Sequence, residues 1–389
     1  MASPSPATAR SIAMLEKLVS FDTVSRNSNL AFIDFVMGLL KQHGIESRLV
    51  HNEDRTKANL LATIGPRVEG GVVLSGHTDV VPVDDQEWRT NPFDVVEKDG
   101  LLYGRGTADM KAFLAIILGA LDTITAAPLK TPIHLAFSYD EEVGCLGAPS
   151  LIRLLNRELP KPSAVIVGEP TDMKVVSAHK GITGMRTTVT GHESHSSQTH
   201  RGVSAVMVAA ELIQFLQSLS AEAALKGPHN QLFEPPHSTI TVNVIEGGTA
   251  LNIMAKHCTF QWDIRVLPED NPERYLERFR AHCRDVVARM RTISPTCDIE
   301  IFAREPTPPL RPEPDSEAER LCRMLTGDNV TRAVAFAAEA GQFQQSGLSV
   351  VICGPGSISQ AHQPNEFISV AQVDAGTRFL HDLVRHLAR

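Results

Sequence analysis

The sequence predicts an α/β protein of two domains, a helix-covered and mostly parallel sheet with a smaller α/β sandwich inserted into it. Three observations carry this expectation. At 389 residues the chain exceeds what one ordinary core holds. Apolar strand-like runs alternate with helical patterns over most of its length, as in a parallel sheet covered by helices. Near Gly181 the texture changes to strands of strict apolar/polar alternation, and near Pro306 it changes back. The larger domain is therefore expected over 1–180 and 306–389, and the inserted one over 181–305.

In chain order, Thr8 to Val19 carries Ile12, Leu15, Leu18 and Val19 at helical spacing, with Thr8 or Ser11 as its cap. Asn29 to His43 repeats the pattern and stops at Gly44. Gly71 to Leu74 reads as a strand, and Asp109 to Ile124 as a helix with an almost wholly apolar first half. Ile133 to Tyr139 is a strand, Leu146 to Asn156 a helix, and Ala164 to Val167 a strand. In the inserted part, Gly184 to Thr190, Ser238 to Ile245 and His257 to Val266 alternate like half-buried strands, and Cys297 to Ala303 closes that sheet. Helices over Val203 to Leu219 and Pro272 to Arg291 lie between them, as in an open sandwich with helices on one face. The proline-rich stretch Glu305 to Pro314 is the linker back. A helix over Ser316 to Thr326, a strand over Ser349 to Cys353 and a helix over Val370 to Ala388 complete the larger domain.

Composition bounds the function. Hydrophobic residues make up 42% and charged residues 21% of the chain, as in a soluble globular protein. A net charge of -8, a pI near 6.0 and no Lys/Arg run argue against a nucleic-acid partner. The longest apolar block, Ala112 to Leu121, is too short to span a bilayer, and MASPSPATAR has no apolar core of a secretory signal. Cys145, Cys258, Cys283, Cys297, Cys322 and Cys353 are scattered without a C-x-x-C pair, which reads as reduced thiols in a cytoplasm.

The chemistry is concentrated just past the ends of predicted strands. His77 follows Val72-Val73-Leu74-Ser75-Gly76, and Asp79 lies two residues on, on the same side of an extended backbone. A carboxylate so placed holds one imidazole nitrogen and leaves the other for a metal. Glu141 and Glu142 follow the Ile133 strand, Glu169 the Ala164 strand and His362 the Ser349 strand, while Asp109 opens the long apolar helix. In open α/β sheets this edge is where ligands bind. Taken singly, each residue has an ordinary explanation: a solvated acidic loop, a turn residue before proline, a surface histidine, or a helix cap in the case of Asp109. Together, two histidines and several carboxylates without cysteine suit a hydrolytic zinc, cobalt or manganese site. There are enough of them for two metals sharing one carboxylate and activating a water between them.

In order and spacing, SGHTDVVP, YGRGTADMKAF, SYDEEVGCLGA, VGEPT and GPGSISQAHQPNEF resemble the dinuclear zinc aminoacylase and deacetylase family over nearly the whole chain. Within it, LVSFDTVSRNSNLAFIDF, AAEAGQF and the pairing of GHESHSSQTHRGVSA with GPGSISQAHQPNEF are most similar to the branch that deacetylates N2-acetyl-L-ornithine in arginine biosynthesis. The resemblance implies two divalent metal ions, zinc first and cobalt second. His77 and Glu169 would hold one, Glu142 and His362 the other, and Asp109 would bridge them. It further implies that Asp79 orients His77, that Glu141 is the general base, and that His195 stabilises the oxyanion across a homodimer built on the inserted lid and dimerisation domain. Asn252 and Arg265 match substrate-contacting positions, and His192 is a weaker counterpart of His195. The family commonly has glycine where this chain has Ser194, and often proline where it has Ala255. Glu339, by charge complementarity alone, is expected to meet the δ-amine of an ornithine side chain. Three other readings stay open on the sequence: hydrolysis of another N-acyl amino acid or a dipeptide, a mononuclear aminopeptidase-like site, and a silent ligand-binding relative.

Overall fold

The computed structural model describes residues 4–389, which form two compact units. One comprises the chain up to Ala178 together with Leu310–Ala333 and Ala338–Arg389; the other comprises His179–Pro309 and Val334–Ala337.

The first unit is built on a six-stranded sheet in the order Ser47–His51, Ala58–Ile64, Ile133–Ser138, Val72–His77, Ala164–Pro170 and Val350–Gly354. The last four strands run parallel and the first two add antiparallel pairs at one edge, so the sheet is mostly parallel. Every residue of the four parallel strands is buried. Such strands are continuous apolar runs because helices cover both faces. Helix Pro6–Val19 packs on the sheet's helical layer through Ile12, Leu15, Leu18 and Val19. Its cap is Ser5, whose hydroxyl accepts from the Thr8 amide at 3.1 Å, three residues before the expected position. Thr8 and Ser11 instead point at the C-terminal helix Val370–Leu387, where they meet Asp374 and Thr377. Helix Leu30–Gln42 ends in Gly44 at φ +71°, the left-handed conformation that lets the next amide, of Ile45, return to the Leu40 carbonyl. Ser316 caps helix Glu317–Thr326 through the Glu319 amide.

One expectation fails where it matters. The helix predicted from Asp109 begins at Ala112. Thr107–Lys111 is an irregular turn in which Asp109 (φ -122°, ψ 95°) and Met110 (φ -133°, ψ 33°) are not helical, and the Asp109–Met110 peptide is cis. Asp109 is therefore not a helix cap. A small antiparallel sheet, Val96–Lys98, Leu101–Tyr103 and Phe367–Ser369, pairs Tyr103 with Phe367 and so sets the segment after Tyr103 beside Glu366.

The second unit is a four-stranded antiparallel sheet in the order Thr239–Gly247, His257–Val266, Gly181–Thr190 and Asp298–Ala303. Burial alternates along Gly181–Thr190 and His257–Val266, as strands with one wet face require. The dry face carries Cys258, Phe260, Trp262 and Ile264, which pack with helices Ala205–Lys226 and Glu273–Arg291 through Leu212, Leu216 and Phe279. Trp262 meets Phe279 edge-on at 4.9 Å, and its indole N–H donates to Thr187 Oγ1 at 3.0 Å.

Candidate metal centre

The parallel strands end level with one another. His77 is the last residue of its strand and pairs in register with Ser138, the last of the neighbouring one. Glu141 and Glu142 follow three and four residues after Ser138, and Glu169 lies at the end of the adjacent strand. His362 arrives from the loop after Val350–Gly354. This is the carboxyl edge expected to bind ligands.

His77 is fully buried, with Nε2 at 3.0 Å from Asp109 Oδ1 and 3.8 Å from Glu169 Oε1. On the other side of Asp109, Oδ2 lies 3.3 Å from His362 Nε2, which is also 3.0 Å from Glu142 Oε2. The two oxygens of one carboxylate thus face two different imidazoles. Donor atoms of His77, Glu141 and Glu169 lie within 4.8 Å of one another, and so do those of His77, Asp109 and Glu142. His362 adds its imidazole to the second group through its contacts with Asp109 and Glu142.

Asp79 acts differently from the expected imidazole clamp. Its backbone carbonyl lies 2.8 Å from His77 Nδ1, whereas its carboxylate is 3.7 Å from that nitrogen. The carboxylate instead accepts the Glu141 amide at 3.1 Å, the Glu142 amide at 3.3 Å and the Ser25 hydroxyl at 2.7 Å. Its carbonyl fixes the ring, which leaves Nε2 facing the carboxylates, and its side chain pins the turn bearing Glu141 and Glu142. Lys57 steadies the same turn, donating to Asp140 and to the Ser25 carbonyl at 2.5 Å each.

The electrostatics call for cations. Burial, with Asp109 and other carboxylates nearby, holds Glu169 well above the usual carboxyl range. Burial likewise raises Glu141, helped by Glu142 and Asp109, and lifts Glu142 to about 7. Burial would raise Asp109 too, but hydrogen bonds from His362 and His77 hold it below its ordinary value. Oε1 of Glu142 and Oε1 of Glu169 are buried with no hydrogen-bond donor among the described residues. Carboxylates packed this closely and left without donors are what divalent ions neutralise, and an oxygen and imidazole donor set fits hydrolytic zinc, cobalt or manganese. The residues present therefore fit a dinuclear centre.

A protein-family model described as peptidase family M20/M25/M40 matches residues 73–386, well over half of the chain. The chain belongs to peptidase family M20/M25/M40. Among M20 relatives, the acetylornithine deacetylase of Pasteurella multocida is 33% identical over 366 residues, covering 94% of this chain and 93% of that protein. That of Yersinia pestis is 34% identical over 389 residues, covering 98% and 96%. The fold matches the M20 family metallo-carboxypeptidase Sso-CP2 of Sulfolobus solfataricus, with TM-score 0.76, 18% identity and coverage of 97% and 99%. It also matches a tripeptidase of Staphylococcus aureus, with TM-score 0.75, 20% identity and coverage of 98% and 99%. Family membership and the clustered donors make the protein a metal-dependent amidohydrolase of the M20 type.

Of the other expected residues, His195, Asn252 and Arg265 belong to the second unit and Glu339 to the first. His195 is exposed in the second unit, its Nδ1 2.8 Å from Ser197 Oγ and accepting the Ser197 amide at 3.2 Å. Its backbone bridges to Ile253, and the Ser196 amide donates to the Asn252 carbonyl at 3.0 Å, so His195 and Asn252 sit on paired segments. His192 bridges to Val203 on the same unit. Arg265 is partly exposed, with Nε 3.8 Å from Asp263 Oδ1. The placement of Glu339 corrects the expectation for it. It is fully buried, accepting the Ser138 hydroxyl at 2.5 Å with Ser75 Oγ at 3.4 Å, and burial raises it to about 7. A carboxylate sealed behind the strand ends does not reach for a substrate ammonium group.

Sequence reasoning missed Ser25, Lys57, Arg105 and Glu366. Arg105 and Glu366 were within reach, because both fall inside the motifs that carry Asp109 and His362.

Proposed function

We propose that this chain removes the acetyl group of N2-acetyl-L-ornithine, giving L-ornithine and acetate. The observation that carries the reading is one carboxylate, Asp109, facing His77 with one oxygen and His362 with the other. The substrate is supported by identity above 30% along nearly the full length of several acetylornithine deacetylases. His77 and Glu169 would hold one cation and Glu142 and His362 the other, with Asp109 available to both. Such ions, zinc by preference and cobalt as the substitute, polarise an amide carbonyl and bring a water's pKa toward neutrality. Glu141, set beside the ligand set with its amide held by Asp79, takes the proton of the attacking water and delivers it to the leaving amine. His195 donates to the developing oxyanion, with its Nδ1 already accepting from the Ser197 amide so that Nε2 carries the proton. Arg265 pairs with the substrate carboxylate through its planar fork, and Asn252 lends a polar contact beside it.

A homodimer through the second unit is part of this reading. The strand Thr239–Gly247 is a sheet edge whose side chains include Val244 and Ile245, 41% and 52% exposed, which suits pairing with a second copy. No described helix is long and apolar enough to cross a membrane. Six cysteines outside any disulfide support a cytoplasmic setting.

The test is turnover of N-acetylornithine, N-acetylmethionine, N-succinyl-diaminopimelate and a dipeptide by zinc- and cobalt-loaded protein. Chelator-sensitive hydrolysis with the highest kcat/KM on N-acetylornithine is the expected result. A higher kcat/KM on another member overturns the N-acetylornithine reading while keeping the site, and no turnover of any by protein holding two metals overturns it as well.

A further inference from the structure

Arg105 and Glu366 are 261 residues apart in the chain and form a buried ion pair, Nη1 to Oε2 at 2.8 Å, with side chains 1% exposed. The Glu366 carboxylate accepts more than this. Oε2 also takes the Gly106 amide at 3.1 Å, and Oε1 takes the amides of Ala108 at 2.9 Å and Asp109 at 3.1 Å. One carboxylate thereby fixes the irregular turn that aims Asp109. Gly106 sits in it at φ +81°, where a β-carbon would approach Val80 Cγ1 to 2.7 Å.

Arg105 carries the network outward. Nη1 donates to the Gln363 carbonyl at 3.3 Å, and Nη2 donates to the Pro82 carbonyl at 3.3 Å and Gln86 Oε1 at 2.5 Å. Its guanidinium lies over the Trp88 ring at 5.0 Å. Gln86 then donates from Nε2 to the carbonyl of His362 at 3.0 Å. Asn365 stitches the same two loops, accepting the Arg89 amide at 2.9 Å and donating to the Glu87 carbonyl at 3.3 Å.

His362 needs this support more than His77 does. His77 ends a fully buried strand, whereas His362 has a side chain 52% exposed and a backbone at φ +65°, a conformation that a β-carbon disfavours. We propose that Gln86, held by Arg105, is a positioning residue that sets the affinity for the cation between Asp109 Oδ2, Glu142 and His362, while the His77 side is independent of it; Glu366, through Asp109, serves both sides. The proposal rests on the dinuclear reading above.

Metal-free wild type, Gln86→Ala, Gln86→Glu and His362→Ala are titrated with Co²⁺, followed by calorimetry and visible absorption. Gln86 is half-buried on a loop, so its variants keep the fold, whereas Glu366→Gln leaves Arg105 buried and uncompensated. Wild type should take up two ions in two steps. Gln86→Ala should weaken by about 10- to 100-fold the step that His362→Ala abolishes and leave the other within about threefold, the usual scale for removing an outer partner of a ligand. Gln86→Glu keeps an acceptor for Arg105 but has no proton for the His362 carbonyl, so it should weaken the same step. Two ions with an unchanged second step in Gln86→Ala, or equal weakening of both steps, overturns this proposal alone. Wild type binding a single ion overturns the dinuclear reading and the proposal with it.

Discussion

Asp79→Asn separates two accounts of how the site is held. In the structure both oxygens of Asp79 are committed: Oδ1 to the Glu141 amide, and Oδ2 to the Ser25 hydroxyl and the Glu142 amide. An asparagine offers one acceptor and one NH2 in the same space. Either orientation leaves one of the two backbone N–H groups facing an amide nitrogen, at a residue only 2% exposed. A buried donor left unpaired costs about 1–3 kcal/mol. If all of that displaces the Glu141 turn from its productive geometry, it corresponds to about a 5- to 150-fold loss in rate. His77 should stay in place, because its Nδ1 is held by the Asp79 backbone carbonyl rather than the side chain. The expected outcome is therefore two metals per chain, kcat lowered by about 10- to 100-fold, and a lower urea midpoint. Metal content, steady-state kinetics on an N-acetyl amino acid and urea unfolding read all three. Loss of metal with normal turnover by the remaining loaded molecules would instead mean that the carboxylate clamps the imidazole. An unchanged kcat and midpoint would refute the turn-pinning account outright.

Glu141→Gln should keep both metals and lose most turnover, by about 10²- to 10⁴-fold; near wild-type kcat would remove it as the base. Glu339→Gln tests burial of a carboxyl outside the ligand set, in metal-free protein. Burial raises Glu339 to about 7, above its unfolded value, so the folded state holds a proton that the unfolded chain has released. The wild type thus loses stability from this residue as pH rises from about 4.5 to about 7, by up to about 3 kcal/mol. Glutamine has no such dependence, so its stability relative to wild type should rise between pH 5 and pH 8 in urea unfolding. A difference that stays flat with pH would show that Glu339 is ionised throughout.

Much of the larger sheet and the ligand positions can be read from sequence because burial on both faces writes parallel strands as short apolar runs, and ligands at their carboxyl ends follow immediately in the chain. Val72–His77, Ile133–Ser138 and Ala164–Pro170 each announce a donor in this way. The turn at Asp109 is different. TADMK runs straight into a long apolar stretch, and local pattern favours a continuous helix. What bends the chain there is Glu366, which supplies the acceptors for the Gly106, Ala108 and Asp109 amides from the far end of the sequence. Long-range acceptors leave no periodic trace. Glu339 fails for the opposite reason: its charge invites a substrate contact, and only packing reveals that Ser138 and Ser75 already enclose it. The strand Ala58–Ile64 escapes because a short apolar run does not distinguish strand from helix, and Ser47–His51, a half-buried edge strand with only Leu49 and Val50 apolar, escapes because it carries little hydrophobic pattern at all.

The second unit interrupts the first between Ala178 and Leu310, and this divides the donor set in time as well as in sequence. During synthesis, His77, Asp109, Glu142 and Glu169 are all made before the interruption, and His362 comes long after it. From residue 169 to residue 362 is 193 residues, about 10–40 s of translation at 5–20 residues per second. Throughout that interval the nascent chain has no imidazole to set against Asp109 Oδ2, and the strand Ala164–Pro170 lacks the Val350–Gly354 neighbour that completes its hydrogen bonding. The last strand of this sheet to be made pairs with Ala164–Pro170, and His362 follows it within a dozen residues, so completing the sheet and completing the donor set fall together.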